Sequence, residues 1–193
     1  EVLPSELTYT KSNGAITISG STYTGSNLII PSHIGGVPVT IIKSSSFENM
    51  INIVVVEVPD SVESIGVGAF KGCNAIEKIT LPFVGKSENA VLSDSLFGYI
   101  FGYTTVQFDL SSTTNYSYGA KSYSTEYTSY SWGGVANTIN QWNDYTGELF
   151  NSSARSYRLK SYYFYIPITI EEVIITMQTN IPSYAFNKCD SIE

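Results

Sequence analysis

Residues 67–82 read VGAFKGCNAIEKITLP, and residues 183–193 read SYAFNKCDSIE. Both carry Ala-Phe-x-x-Cys-x-x-Ile-Glu: Ala69, Phe70, Cys73, Ile76 and Glu77 in the first, Ala185, Phe186, Cys189, Ile192 and Glu193 in the second. Self-similarity of this kind marks a repeat architecture rather than a single closed core. A step back of 23 residues takes Phe70 to Phe47 and Ile65 to Ile42. The same step takes Ile76 to Ile53, Ile79 to Val56, Leu81 to Val58 and Pro82 to Pro59. One copy earlier, Leu28, Ile30 and Pro31 match Val56, Val58 and Pro59, with five extra residues around the turn GGVPV at 35–39. At the far end Ile170, Val173 and Ile175 repeat the spacing of Ile53, Val56 and Val58, and Ile181 and Phe186 match Ile65 and Phe70.

The unit is therefore L-x-x-I-x-I-P-x-x-V-x-x-I-x-x-x-A-F-x-x-C. Its I-x-I core alternates, which predicts a short strand with one face inward. Proline then ends the strand, because it has no N–H for a ladder. Asp60 and Ser61 supply turn hydrogen bonds. Ile65 marks a second inward position and Phe70 fills a bend. Such a unit cannot bury its apolar side alone. Stacking like on like does so, with strands about 4.8 Å apart, and each inward Ile or Leu then contributes roughly 1.5–3 kcal/mol.

The pattern resembles the BspA-like leucine-rich repeat, a coil of secreted and cell-surface proteins of bacteria and some protozoan parasites. The opening, ELTYTKSNGAITISG at 6–20 and YTGSNLIIPSHIGGVPVTII at 23–42, is similar to that family's usual start. ITLPFVGKSEN followed by LFGYIFG is like a stretch that interrupts the repeats in many such proteins, and YIPITIEEVIIT like the strand that resumes them. The resemblance covers about residues 5–102 and 165–193. It implies a mainly β solenoid of leucine-rich-repeat type, built of short parallel strands, with an N-terminal β-hairpin cap and a large insertion.

Four segments follow. Residues 1–25 are the cap: Leu7, Tyr9, Ile16 and Ile18 alternate about Ser12-Asn13-Gly14, and Asn-Gly between alternating apolars signals a hairpin. Residues 26–82 are repeats, 83–165 an insertion, and 166–193 a resumed repeat. No closing cap follows Glu193, and an open apolar layer is an aggregation hazard; the expectation is a truncated repeat with more repeats beyond it. The insertion opens with VLSDSLFGYIFGY, where Leu96, Phe97, Ile100 and Phe101 have helical spacing. Residues 111–131 are almost wholly Ser, Thr, Tyr, Asn and Gly. Trp132, Trp142, Phe150 and SYYFYIP at 161–167 then suggest an ordered subdomain.

Composition narrows the function. Ten Lys and Arg against 17 Asp and Glu leave a net charge of −7, so the basic footprint that nucleic acid needs is missing. No apolar run is long enough for a membrane span. No phosphate loop, G-x-S-x-G, H-E-x-x-H or EF-hand loop occurs. His33, the single histidine, reads as a surface turn residue, which leaves little room for a Ser-His-Asp set. Cys73 and Cys189 occupy the repeat position that Met50 holds in another copy. A soft buried filler explains all three; a disulfide or a metal ligand are the alternatives. Asp144 with Glu148, or Glu171 with Glu172, could in principle form a glycosidase pair, but Glu171 and Glu172 fall where outward polar residues belong. Asn115-Tyr-Ser and Asn151-Ser-Ser are glycosylation sequons.

The candidate ligand-binding residues are aromatic: Tyr130, Trp132, Trp142, Tyr145, Tyr162 and Tyr163. They either pack the insertion's own core or form a platform for sugars or a partner protein. The resemblance implies a non-enzymatic secreted or cell-surface adhesion module, with an extracellular protein or glycan as partner. No catalytic residue, cofactor or metal is expected, and no nucleic acid or membrane insertion. The alternative is a carbohydrate-binding module centred on the insertion, attached to a larger enzyme.

Overall fold

The computed structural model describes residues 2–110, 138–142, 147–150, 156–186, 189 and 192. Strands β1 (Leu7–Ser12) and β2 (Ala15–Ser21) pair antiparallel across Asn13 and Gly14, whose φ values are 51° and 75°. Positive φ at both positions makes the turn whose twist matches paired strands. The register shifts between Thr8 and Tyr9. Leu7 is buried but Tyr9 is exposed, so the expected inward alternation of these two stops at the bulge, which turns the strand. β2 pairs parallel with β5 (Val37–Ile42), seating Ile16 and Ile18 in the core.

Two ladders run along the molecule. The first joins β3 (Asn27–Ile29), β6 (Val55–Glu57), β8 (Lys78–Leu81) and β13 (Glu172–Ile175), all parallel. Its register puts Leu28, Val56, Ile79 and Val173 in one row. The first three are fully buried, and Val173, on the outermost strand, is half-buried. The second ladder runs from β2 through β5 to β7 (Ser64–Ile65), with Ile42 opposite Ile65. It continues through the Ile65 N–H, which donates to the Lys86 carbonyl at 2.8 Å. β4 (His33–Ile34) folds back on β5 at Gly35-Gly36, whose φ values of 57° and 76° suit glycine.

At the bend of each coil an aromatic column forms. Phe47 and Phe70 stack with centroids 5.4 Å apart and planes 9° apart. The expected next member, Phe186, does not lie on Phe70. It packs on Phe97 at 5.1 Å, and Phe97 meets Phe101 edge-on at 5.3 Å. Backbone bonds give the order of the layers: Phe47 N–H to Ala69 O, Phe70 N–H to Ile100 O, Phe97 N–H to Ala185 O. Residues Phe97–Phe101, a fully buried 3-10 turn inside the stretch that breaks the sequence repeat, supply the layer between Phe70 and Phe186. Leu96, Phe97, Ile100 and Phe101 thus have the anticipated helical spacing, tightened to i→i+3 bonds, as in Tyr99 N–H to Leu96 O. Ile181, expected inward like Ile65, is 45% exposed; among the described residues its segment makes no ladder bond like that of Ile65 to Lys86.

The intervening layer also separates Cys73 from Cys189. Both are buried thiols. Cys73 Sγ donates to the Phe47 carbonyl at 3.0 Å, and Met50 packs partly buried against the same core.

A third sheet follows. β12 (Ser156–Pro167) pairs antiparallel with β9 (Tyr103–Leu110) along one edge, and with β10 (Thr138–Trp142) and β11 (Gly147–Phe150) along the other.

Candidate functional site

Two surfaces are candidates, and the same residues connect them. Tyr103 and Phe164 pair with each other at one end of the β9–β12 register, with rings edge-on at 5.4 Å and 67°. Phe164 and Ile166 are fully buried, and the Tyr165 N–H donates to Gly102 O at 3.1 Å. Gly102 (φ 82°) lies close against Gly68 (φ 64°), and the stem of Lys71 covers the contact. Glycine at both positions permits the left-handed conformation. The third sheet is therefore anchored in the solenoid core at its base.

Of the six aromatic candidates, Tyr130, Trp132 and Tyr145 lie outside the described residues. Trp142 and Tyr163 stand opposite each other in the β10–β12 register. Tyr162 is opposite Thr105, at the alternate position of the same strand. Backbone pairing thus brings Trp142 and Tyr163 to one rung, with Tyr162 at the neighbouring position of β12.

The second surface is the outward side of the first ladder. One row runs Asn27, Val55, Lys78, Glu172, and the other Ile29, Glu57, Thr80, Ile174. Lys78 Nζ lies 2.8 Å from Glu172 Oε2, across adjacent strands. These positions mix apolar, hydroxyl and charged side chains on a fixed backbone. Of these outward residues, sequence reading singled out Glu172 alone, as half of a carboxylate pair with Glu171; the gaps in L-x-x-I-x-I were the available signal for the rest.

Other nominated residues have ordinary settings. His33 is exposed, its Nδ1 3.1 Å from Ser32 Oγ. Glu172 is engaged with Lys78, and Glu148 is opposite Arg158 in the β11–β12 register. Asp144, Asn115 and Asn151 lie outside the described residues. Burial pushes the Cys73 thiol up to about 11, which keeps it protonated and unreactive at neutral pH. Among the described residues no group of three or more His, Cys, Asp and Glu could hold a metal, and no helix is long and apolar enough to cross a membrane.

A family model for the BspA type leucine rich repeat region matches residues 14–141 and 149–193, in 6 copies. The chain belongs to this family. The BspA-type match runs through the bend at 97–101 as well as the coils read from sequence. Among solved structures, a leucine rich repeat protein of T. pallidum is 26% identical over 42% of each chain, with a TM-score of 0.37. A leucine rich cell surface protein of Faecalibacterium prausnitzii A2-165 is 25% identical over 41% of this chain and 22% of that one, TM-score 0.37. A leucine-rich repeat protein of Bacteroides ovatus is 26% identical over 42% of this chain and 24% of that one, TM-score 0.36. The BspA-type chain thus spans well under half the length of each. No curated protein matches it.

Proposed function

We propose that this BspA-type chain is a non-catalytic interaction module of a secreted or cell-surface protein, which grips an extracellular protein through the outward rows of its first ladder. The observation that carries the reading is the unbroken four-strand register from β3 to β13, which holds Ile29, Glu57, Thr80 and Ile174 in one row. Outward ladder residues are free to vary because packing is settled by the inward ones, and a rigid surface loses little entropy on binding. Membership of a repeat family with a relative named as a cell surface protein supports the same reading.

The test is a binding screen against extracellular matrix proteins with Glu57→Arg/Thr80→Arg. The paired substitution should abolish capture while leaving the melting temperature within a few degrees. Retained capture overturns the ladder as the site. A second reading, a carbohydrate-binding module, draws on Trp142 facing Tyr163 in register, since aromatic side chains form stacking surfaces for sugar rings. Glycan-array binding lost in Trp142→Ala but kept in the ladder variant would favour it.

A further inference from the structure

Between the cap and the coil of β6 the stack is not closed. Residues 21–25 and 49–53 lie in adjacent layers. They converge where the Val54 and Val55 N–H groups donate to the Ser26 carbonyl at 2.8 and 3.0 Å. Before that point, among the described residues, no backbone hydrogen bond links the two segments. The next layers are zipped at the same place, with the Asn49 N–H on the Lys71 carbonyl at 2.7 Å. Side-chain bulk is missing as well. Counting back from the row of Leu28, Val56 and Ile79, Gly25 stands where Ile53 and Ile76 are fully buried in later coils. The Tyr23 ring lies so close that a Cβ added at Gly25 would strike it. The result is a groove of about 240 Å³ between the two walls.

We propose that this groove binds a single neutral sugar ring. Its volume is below the roughly 300–1,000 Å³ of pockets for drug-sized ligands, which suits one ring. Tyr23, Met50 and Ile51 give it an apolar side for the C–H face of a sugar, and Ile51 is 65% exposed. Thr22, Thr24, Asn49 and Asn52 supply hydroxyls and carboxamides, which both donate and accept, as sugar hydroxyls do. No Asp, Glu, Lys, Arg or His lines the groove, so a charged ligand would lose hydration and meet no counter-charge. Tyr23 is held in place before any ligand arrives. Its hydroxyl donates to the Asn27 carbonyl at 2.9 Å, and its N–H to Ser21 Oγ at 3.1 Å. A wall already ordered costs little further entropy on binding. None of the lining residues belongs to the ladder rows or to the rung of Trp142 and Tyr163, so the groove stands or falls separately from both readings above. Either a free sugar or the end of a glycan chain offers the chemistry it selects.

Backbone-amide NMR of the isotope-labelled chain, titrated with the methyl glycosides of neutral hexoses and N-acetylhexosamines, tests it. The expected result is a saturable shift at residues 21–25 and 49–53 with at least one glycoside at millimolar concentration. Asn52→Ala and Thr24→Val, both at exposed positions, should each weaken that binding about tenfold through the loss of one hydrogen bond, with the rest of the spectrum unchanged. Trp142→Ala should bind as the parent does. An oligosaccharide ending in the same sugar separates the two sources: equal binding supports a glycan end, and exclusion supports a free sugar. Overturning results are no saturable shift at these residues with any of the glycosides, binding untouched by both Asn52→Ala and Thr24→Val, or a loss that follows Trp142→Ala instead.

Discussion

Phe70 and Lys71 are neighbours in sequence with opposite roles. Phe70 is fully buried and stacked on Phe47. Lys71 is half exposed, its Nζ 2.9 Å from Glu48 Oε1. Phe70→Ala should cost about 3–5 kcal/mol, the range for emptying an aromatic site. Lys71→Ala removes a surface ion pair and should cost less than about 1 kcal/mol. Chemical denaturation of both variants checks the contrast; equal losses would contradict the inward assignment of Phe70. The lysine holds the Glu48 carboxyl below its usual range. A depressed folded-state pKa adds stability above the unfolded value, and that small contribution fades as pH falls through the folded one. Cys73 should resist thiol reagents at neutral pH until denaturant is added, since it is buried and its pKa is raised to about 11. Rapid labelling of the folded chain at Cys73, read by mass spectrometry, would contradict this. Gly72 has a φ of 76°, and an added Cβ would strike the Asn49 side chain. Its counterpart one coil back, Asn49, also has a positive φ, 62°, so the repeat sets the conformation, while the Asn49 side chain leaves no room for a Cβ at position 72.

The elements differ in how openly they were written. The hairpin of β1 and β2 was plain from Asn13-Gly14 between alternating apolars, and Gly14→Val should destabilise it, as positive φ is costly for a β-branched residue. The coil strands were equally plain, because an inward row needs Ile, Val or Leu at fixed spacing. The bend at Phe97–Phe101 was legible as apolar helical spacing, but its place in the stack was not, since nothing local says which layer it joins. Gln178 left no sequence signal either. Its buried carboxamide accepts from the Val84 N–H at 2.9 Å and donates to the Glu88 carbonyl at 2.8 Å. It ties the stretch after β8 to the coil of β13, 90 and 94 residues later in the chain. Gln178→Ala would leave that buried N–H without its partner and should cost about 1–3 kcal/mol, seen as a lowered denaturation midpoint. No loss would mean that water replaces the side chain.

At the scale of the molecule, the coils and the third sheet share one core. The base of the third sheet, through Phe164 and Ile166, is buried with the coils. Phe164→Ala should therefore destabilise the solenoid itself by about 3–5 kcal/mol, lowering its main melting transition and not merely loosening the third sheet. Differential scanning calorimetry showing an unchanged main transition would separate the two units. The aromatic candidates were found by composition alone. Register brought Trp142 and Tyr163 together because antiparallel pairing joins residues distant in sequence. The sequence by itself determined the repeat, the strand positions, the cap turn and the inward positions other than Tyr9 and Ile181, because each follows from period, proline and side-chain size within one coil. Only the tertiary structure decided which layer follows which: Phe97 between Phe70 and Phe186, Cys73 apart from Cys189, and Gln178 as a clamp. Stacking order depends on hydrogen bonds between coils, and these link residues that no local spacing relates.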